Sequence, residues 1–171
     1  MKNILKKLNA CNQSIEWVQN KTIEQAINEC ERGDWMVWLF KKLLPNELKL
    51  LTLAKGHCAN TVRHLMTDER SLKAIDTAIA FGEGKATREE LDAAADAAYT
   101  AAVAYAASAS AAADTAYAAA DTAYVAAAVA YAYAYAYASA DADARKANQL
   151  QTANICRNYL GGKLIEACKQ C

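Results

Sequence analysis

Along the first ninety residues, apolar side chains return every three or four positions between short polar interruptions, which is the period of amphipathic helices buried on one face. The opening MKNILKKLNAC predicts one such helix. Ser14 is placed to cap IEWVQN, and Thr22 with Gln25 has capping-box spacing ahead of IEQAINEC. Gly33 is expected to end that helix in a left-handed conformation and Asp34 to cap the next, WMVWLFKKLL. Pro45 suits the first turn of a helix running through NELKLLTLAKGHCANTVRHLM. A further helix, ERSLKAIDTAIAF, stops at Gly82 and Gly84. Thr87 and Glu90 then form a second capping box that launches an alanine-rich region.

From Lys85 to Leu160 the chain contains neither Gly nor Pro. One unbroken helix of that length would run to about 110 Å, so breaks are expected, first at ASAS (107–110) and second at SADADA (139–144). A seven-residue unit recurs as AAADAAY at 93 and AAADTAY at 111 and 118, which lines up Asp and Tyr along one helical stripe. The run AYAYAYAY (130–137) alternates like a strand, but its alanine surroundings favour helix. In a helix its tyrosines split into two pairs. Tyr131 and Tyr135 extend the stripe of Tyr117 and Tyr124, and Tyr133 with Tyr137 lies near the opposite side. Gly161-Gly162 is expected to stop the last helix. The predicted architecture is therefore all-α, a multi-helix bundle in a single domain over 1–171. Short amphipathic helices fill 1–86, long Ala/Tyr-rich helices 87–160, and a C-terminal tail 161–171.

Charge narrows the choice of partners. The chain balances 19 basic against 19 acidic residues, poor equipment for neutralising a phosphate backbone, so no nucleic-acid partner is expected. Residues 92–144 carry no Lys or Arg but do carry Asp92, Asp96, Asp114, Asp121, Asp141 and Asp143. The uncharged stretch 122–140 is long enough for a membrane span, yet Ala is only weakly apolar and Tyr hydroxyls need partners, so no membrane role is expected. Lys6 and Lys7 interrupt what a signal peptide would keep apolar, and the expected location is cytoplasmic. The six cysteines lack zinc-ribbon spacing and read as reduced thiols.

Chemistry-bearing motifs are sparse. There is no nucleophile elbow, phosphate-binding glycine loop, HExxH or dinucleotide fingerprint, and neither enzyme activity nor a cofactor is expected. His57 and His64 stand two turns apart on one predicted helix, too wide for easy shared metal coordination. Asp114 and Asp121 would be separated by about 10.5 Å along a helix axis, wide for a carboxylate pair in hydrolysis. RGDW (32–35) reads as a helix stop and start. Trp35 and Trp38 are neighbours on one helix face, with Trp17 a helix or two earlier, and suit either core packing or an aromatic hot spot for a partner.

The order SIEWV (14–18), ECERGDWMVWLF (29–40), a basic-apolar helix, then FGEGKATREELDAAADAA (81–98) running into alanine-rich helix resembles the immunity proteins found in bacterial and phage genomes. The resemblance covers most of the chain and is sharpest from Glu29 to Leu39. This sequence departs from it in carrying Tyr where Arg or Ala is expected in the long helices. The resemblance implies an all-helical cytosolic protein that acts by stoichiometric binding, without catalytic residues. Its partner would then be a protein toxin or effector, met by the face bearing Asp114, Asp121, Tyr117, Tyr124, Tyr131 and Tyr135 together with Trp35 and Trp38. A second reading is a sponge for a small nucleotide-derived signal, stacked by Tyr124, Tyr131 and Tyr135, with Arg63, Arg145 or Lys146 meeting its phosphate. A third is a structural homo-oligomer of helix bundles.

Overall fold

In a computed structural model that describes residues 1–106 and 142–171, both capping boxes form. Thr22 opens α3 (Ile23–Glu29): its hydroxyl accepts from the Gln25 amide at 3.1 Å while the Gln25 side chain accepts from the Thr22 amide at 2.9 Å. Thr87 and Glu90 repeat the exchange at 3.2 and 2.7 Å ahead of α7 (Arg88–Ala106). Before α3 come α1 (Lys2–Lys7) and α2 (Asn12–Trp17). Between α3 and α7 come α4 (Gly33–Leu43), α5 (Leu48–Asn60), a 3-10 turn (Arg63–Leu65) and α6 (Glu69–Gly82), which Asp68 caps by accepting from the Arg70 amide at 2.9 Å. Last is α8 (Ala142–Lys169). The fold is all-α, a helical bundle, with no strand among the described residues.

α8 is the column on which α3, α4 and α5 pack. Thr152, Cys156, Leu160, Leu164 and Cys168 recur every fourth residue, all of them buried, and form a stripe that meets α3, α4 and α5. Ile27, Met36, Leu39, Phe40, Leu51 and Cys58 face it in one core cluster. α6 lies on α5 and α7 on α6. At the α6–α7 contact Ala74 meets Ala94 and Ala98, while Ala78 and Phe81 meet Leu91. These small side chains let the axes approach closely.

Two crossings depend on glycine for space. A Cβ on Gly33 would stand 3.1 Å from the Thr152 carbonyl, where the start of α4 rests on the α8 backbone. One on Gly82 would come within 2.8 Å of the Leu53 Cα, where α6 crosses α5. Arg157 of α8 serves the open end of α3. Its Nη2 donates to the Cys30 carbonyl at 2.7 Å and its Nε to the Ile27 carbonyl at 3.4 Å, placing a cation and two donors where a helix leaves carbonyls without partners.

Several sequence expectations are corrected. Residues 161–171 are not a tail, because α8 continues through Gly161-Gly162 to Lys169. The apolar stripe stays in register across the pair, and burying Leu164 and Cys168 outweighs the roughly 1 kcal/mol per glycine that favours stopping. Gly33 does not end α3, which closes at Cys30 in an extended conformation; instead Gly33 is the first residue of α4, with Asp34 in its first turn and Arg32 at the cap. Cys11, not Ser14, occupies the cap of α2, and buried Ser14 donates its hydroxyl to the Cys11 carbonyl at 2.8 Å. The helix expected from Asn46 to Met66 ends at Asn60, and His64 falls in the 3-10 turn. The proposed break at 107–110 lies outside the described residues and that at 139–144 partly so.

Candidate functional site

Tryptophan is rare in this chain, with three in 171 residues, and the fold collects all three at one place. α1 and α2 are joined through Asn9, whose φ of 56° is the left-handed conformation that Asn tolerates better than most residues. α2 ends at Trp17, and α4 carries Trp35 in its first turn and Trp38 one turn later. Trp17 and Trp35 meet edge to face, with centroids 6.1 Å apart and planes at 65°, the arrangement ring quadrupoles favour. With Trp38 they wall a recess of about 430 Å³ whose apolar lining includes Leu5, Val18, Ile27, Met36 and Leu39. All three rings are half-buried, so each has one part in the core and another at the opening.

Every one of these rings carries a cation. Lys21 Nζ lies 5.0 Å from the Trp17 centroid, the Arg32 guanidinium 4.8 Å from Trp35, and Lys42 Nζ 6.0 Å from Trp38. Arg32 also holds Asp34 in a two-point pair, Nε to Oδ1 at 2.8 Å and Nη2 to Oδ2 at 2.6 Å, and Lys21 pairs with Glu29. The polar groups in the lining are few: Asn9, Cys11, Ser14, Cys30 and Asp34. Cys11 is exposed, and its thiol is held below the ordinary value chiefly by hydrogen bonding with the Ser14 side chain, then by the Ser14 amide, with Arg32 adding to the effect. Cys30 is pushed the other way by burial. A recess with aromatic walls, an apolar floor and a handful of fixed polar groups suits an inserted side chain or a small ligand.

A second unusual place lies where α5 meets α8. Cys58 of α5 and Cys156 of α8 bring their sulfurs to 3.7 Å in the core, and the Cys58 thiol also reaches the Thr152 carbonyl at 3.7 Å. Its contact with Cys58, then burial, holds the Cys156 thiol far above its ordinary value. Lys55, one turn earlier on α5, is 7% exposed. Burial first, then the Lys41 ammonium, pushes its amine down to about 8. His57 stacks on Tyr159 of α8 at 4.9 Å with planes 9° apart.

Of the residues singled out from sequence, Trp35 and Trp38 stand together at the recess, joined by Trp17. Arg63 pairs with Asp76, whose carboxylate accepts from both terminal nitrogens of the guanidinium at 2.5 and 2.9 Å, and Arg63 does not line the recess. Arg145 and Lys146 lie near the start of α8, and Lys146 is exposed and does not line the recess. Asp114, Asp121, Tyr117, Tyr124, Tyr131 and Tyr135 lie outside the described residues. In the one repeat copy that is described, Asp96 and Tyr99 face outward and Ala94, Ala95 and Ala98 face inward. Among the described residues no three metal-capable side chains converge, and no helix is long and apolar enough to cross a membrane.

Compared with protein families, with curated proteins and with solved structures, the chain matches none.

Proposed function

We propose that the protein is a non-catalytic binding protein of the immunity or counter-defence type, which neutralises a toxin or effector by stoichiometric binding. The observation that carries this reading is the convergence of Trp17, Trp35 and Trp38 on one apolar recess. Half-buried tryptophans around an apolar recess are the residues and the setting in which binding energy concentrates at protein interfaces. Lys21, Arg32 and Lys42 lie on the ring faces, so a partner meets aromatic and cationic surface together. The sequence resemblance to immunity proteins points the same way.

A second reading is favoured by the size of the recess. Its volume of about 430 Å³ falls within the roughly 300–1,000 Å³ of small-molecule sites, so a planar signalling ligand would be held against the tryptophans rather than by Arg63. Native mass spectrometry of the protein purified gently from its own cells separates the two. A one-to-one complex with a protein, lost in Trp38→Ala, supports the first reading, and an added mass of a few hundred daltons, lost in the same variant, supports the second. A partner retained equally by Trp38→Ala and Trp35→Ala would remove the recess from the account.

A further inference from the structure

Cys58 and Cys156 stand 98 residues apart in sequence, and the packing of α5 on α8 brings their sulfurs to 3.7 Å. Both residues are buried, Cys58 at 4% exposure and Cys156 at 0%. The Cys58 sulfur also lies 3.7 Å from the carbonyl of Thr152, one turn before Cys156. It therefore rests over a single turn of α8, within the buried stripe.

We propose that Cys58 and Cys156 form a disulfide that pins α5 to α8, made and broken by exchange with a small thiol–disulfide couple. As the bundle opens, the Cys58 thiolate attacks one sulfur of the small disulfide, and a small thiolate leaves with the electron pair. As it closes, Cys156 gives its proton to solvent and attacks the Cys58 sulfur, and the second small thiolate leaves. The protein dithiol is oxidised by two electrons and the small disulfide is reduced to two thiols. Folding makes the second attack intramolecular, with the reacting sulfurs already in contact. They need only close from 3.7 Å to about 2.0 Å, a movement on the scale of side-chain rotation. The core also isolates the pair. Contact with Cys58 and burial keep Cys156 in its thiol form, and a bond once made is shielded from reductant in the same way. The pair is thus slow to oxidise and slow to reduce, whereas exposed Cys11 and Cys171 exchange promptly with the same couple. The bond closes a long loop, which is where a cross-link restricts the unfolded chain most. It also ties together two helices against which α4, the carrier of Trp35 and Trp38, is packed.

The test holds the full chain to equilibrium in oxidised and reduced glutathione with urea below the unfolding transition. Free thiols are then blocked, the chain is digested without reduction, and the cysteine peptides are mapped by mass spectrometry. The expected result is a linked peptide pair carrying Cys58 and Cys156, forming faster as urea is raised, after glutathione has already added to Cys11 and Cys171. Once urea is removed, the link should survive dithiothreitol longer than the Cys11 adduct, on the order of tenfold or more. The linked protein should also have the higher urea midpoint, a gain lost in Cys156→Ala and kept in Cys30→Ala, with helix content checked by circular dichroism. The link is read directly in the wild type, so the assignment does not depend on either variant folding. Recovery of Cys58 and Cys156 as free thiols at equilibrium, a bond from either one to another cysteine, or a linked protein with no higher midpoint would overturn it.

Discussion

Lys55 sets the clearest expectation at the scale of the residue. Its ordinary value is 10.5 and its folded value about 8, so the folded protein binds fewer protons at this site than the unfolded chain. The charged form therefore works against folding below pH 8, by on the order of 3 kcal/mol, and the penalty fades as pH rises from 8 toward 10.5. Lys55→Met should be more stable than the wild type by about 1–3 kcal/mol at neutral pH. That advantage should shrink in denaturant titrations carried upward through this range. The comparison matters because burial holds Cys30 and Cys168 above their ordinary values, as contact with Cys58 and burial do Cys156, so both proteins lose stability once thiols ionise in the unfolded chain. An advantage that stayed constant with pH would show that the ammonium is not the strained group. The thiols themselves sort by exposure. Cys11 and Cys171 should react promptly with a disulfide reagent, Cys11 the faster for its lowered value, while Cys30, Cys58, Cys156 and Cys168 react only as the protein unfolds.

At the scale of the element, α8 is where local preference and tertiary packing part. Gly162 lies inside this helix with nothing within 4 Å of the Cβ it lacks, so Gly162→Ala should stabilise the protein by about 0.5–1 kcal/mol, read as a rise in urea midpoint. Gly33 is the opposite case. An added methyl there meets the Thr152 carbonyl and the Ala153 nitrogen at 3.1 and 3.2 Å, and backbone cannot turn aside as a side chain can. Gly33→Ala should cost about 1–3 kcal/mol by the same measurement, with α4 lifted from α8. If the two substitutions had equal effects, the α4–α8 crossing would not be as close as described. The element boundaries that sequence foresaw, at Thr22, Gly82 and Thr87, rest on hydrogen bonds and backbone preferences contained within a few residues. Those it misplaced, at Ser14, Gly33 and Gly161-Gly162, depend on what the segment is buried against.

For the whole molecule, the packing order matters more than the number of helices. Among the described residues α8 touches α3, α4 and α5 through large side chains, whereas α7 packs chiefly on α6, largely by alanine contacts. Hydrogen exchange should accordingly be slowest in α4, α5 and residues 152–168, and faster in α7, because alanine contacts bury less area per residue. Uniform protection would mean that α7 is bound into the bundle more firmly than its contacts indicate. The placement of all three tryptophans around one recess also makes intrinsic fluorescence a reporter of that recess. Adding a true partner should shift the emission, and Trp38→Ala should weaken its binding by about 2 kcal/mol or more, roughly thirtyfold in Kd.

Sequence by itself determined the all-helical class, both capping boxes and the helix face shared by Trp35 and Trp38, because each follows from periodicity or from bonds between residues three or four apart. It also marked Trp17 as a companion, without the geometry that joins it to them. Only the tertiary structure decided that Trp17 meets Trp35 at 6.1 Å, that Arg63 pairs with Asp76, and that Lys55 lies buried in the bundle. These are contacts between separate elements, and nothing in local spacing encodes which helix faces which. The glycine pair shows the same division from the other side: its local signal says stop, and the stripe from Cys156 to Cys168 buried against α3, α4 and α5 carries the helix past it.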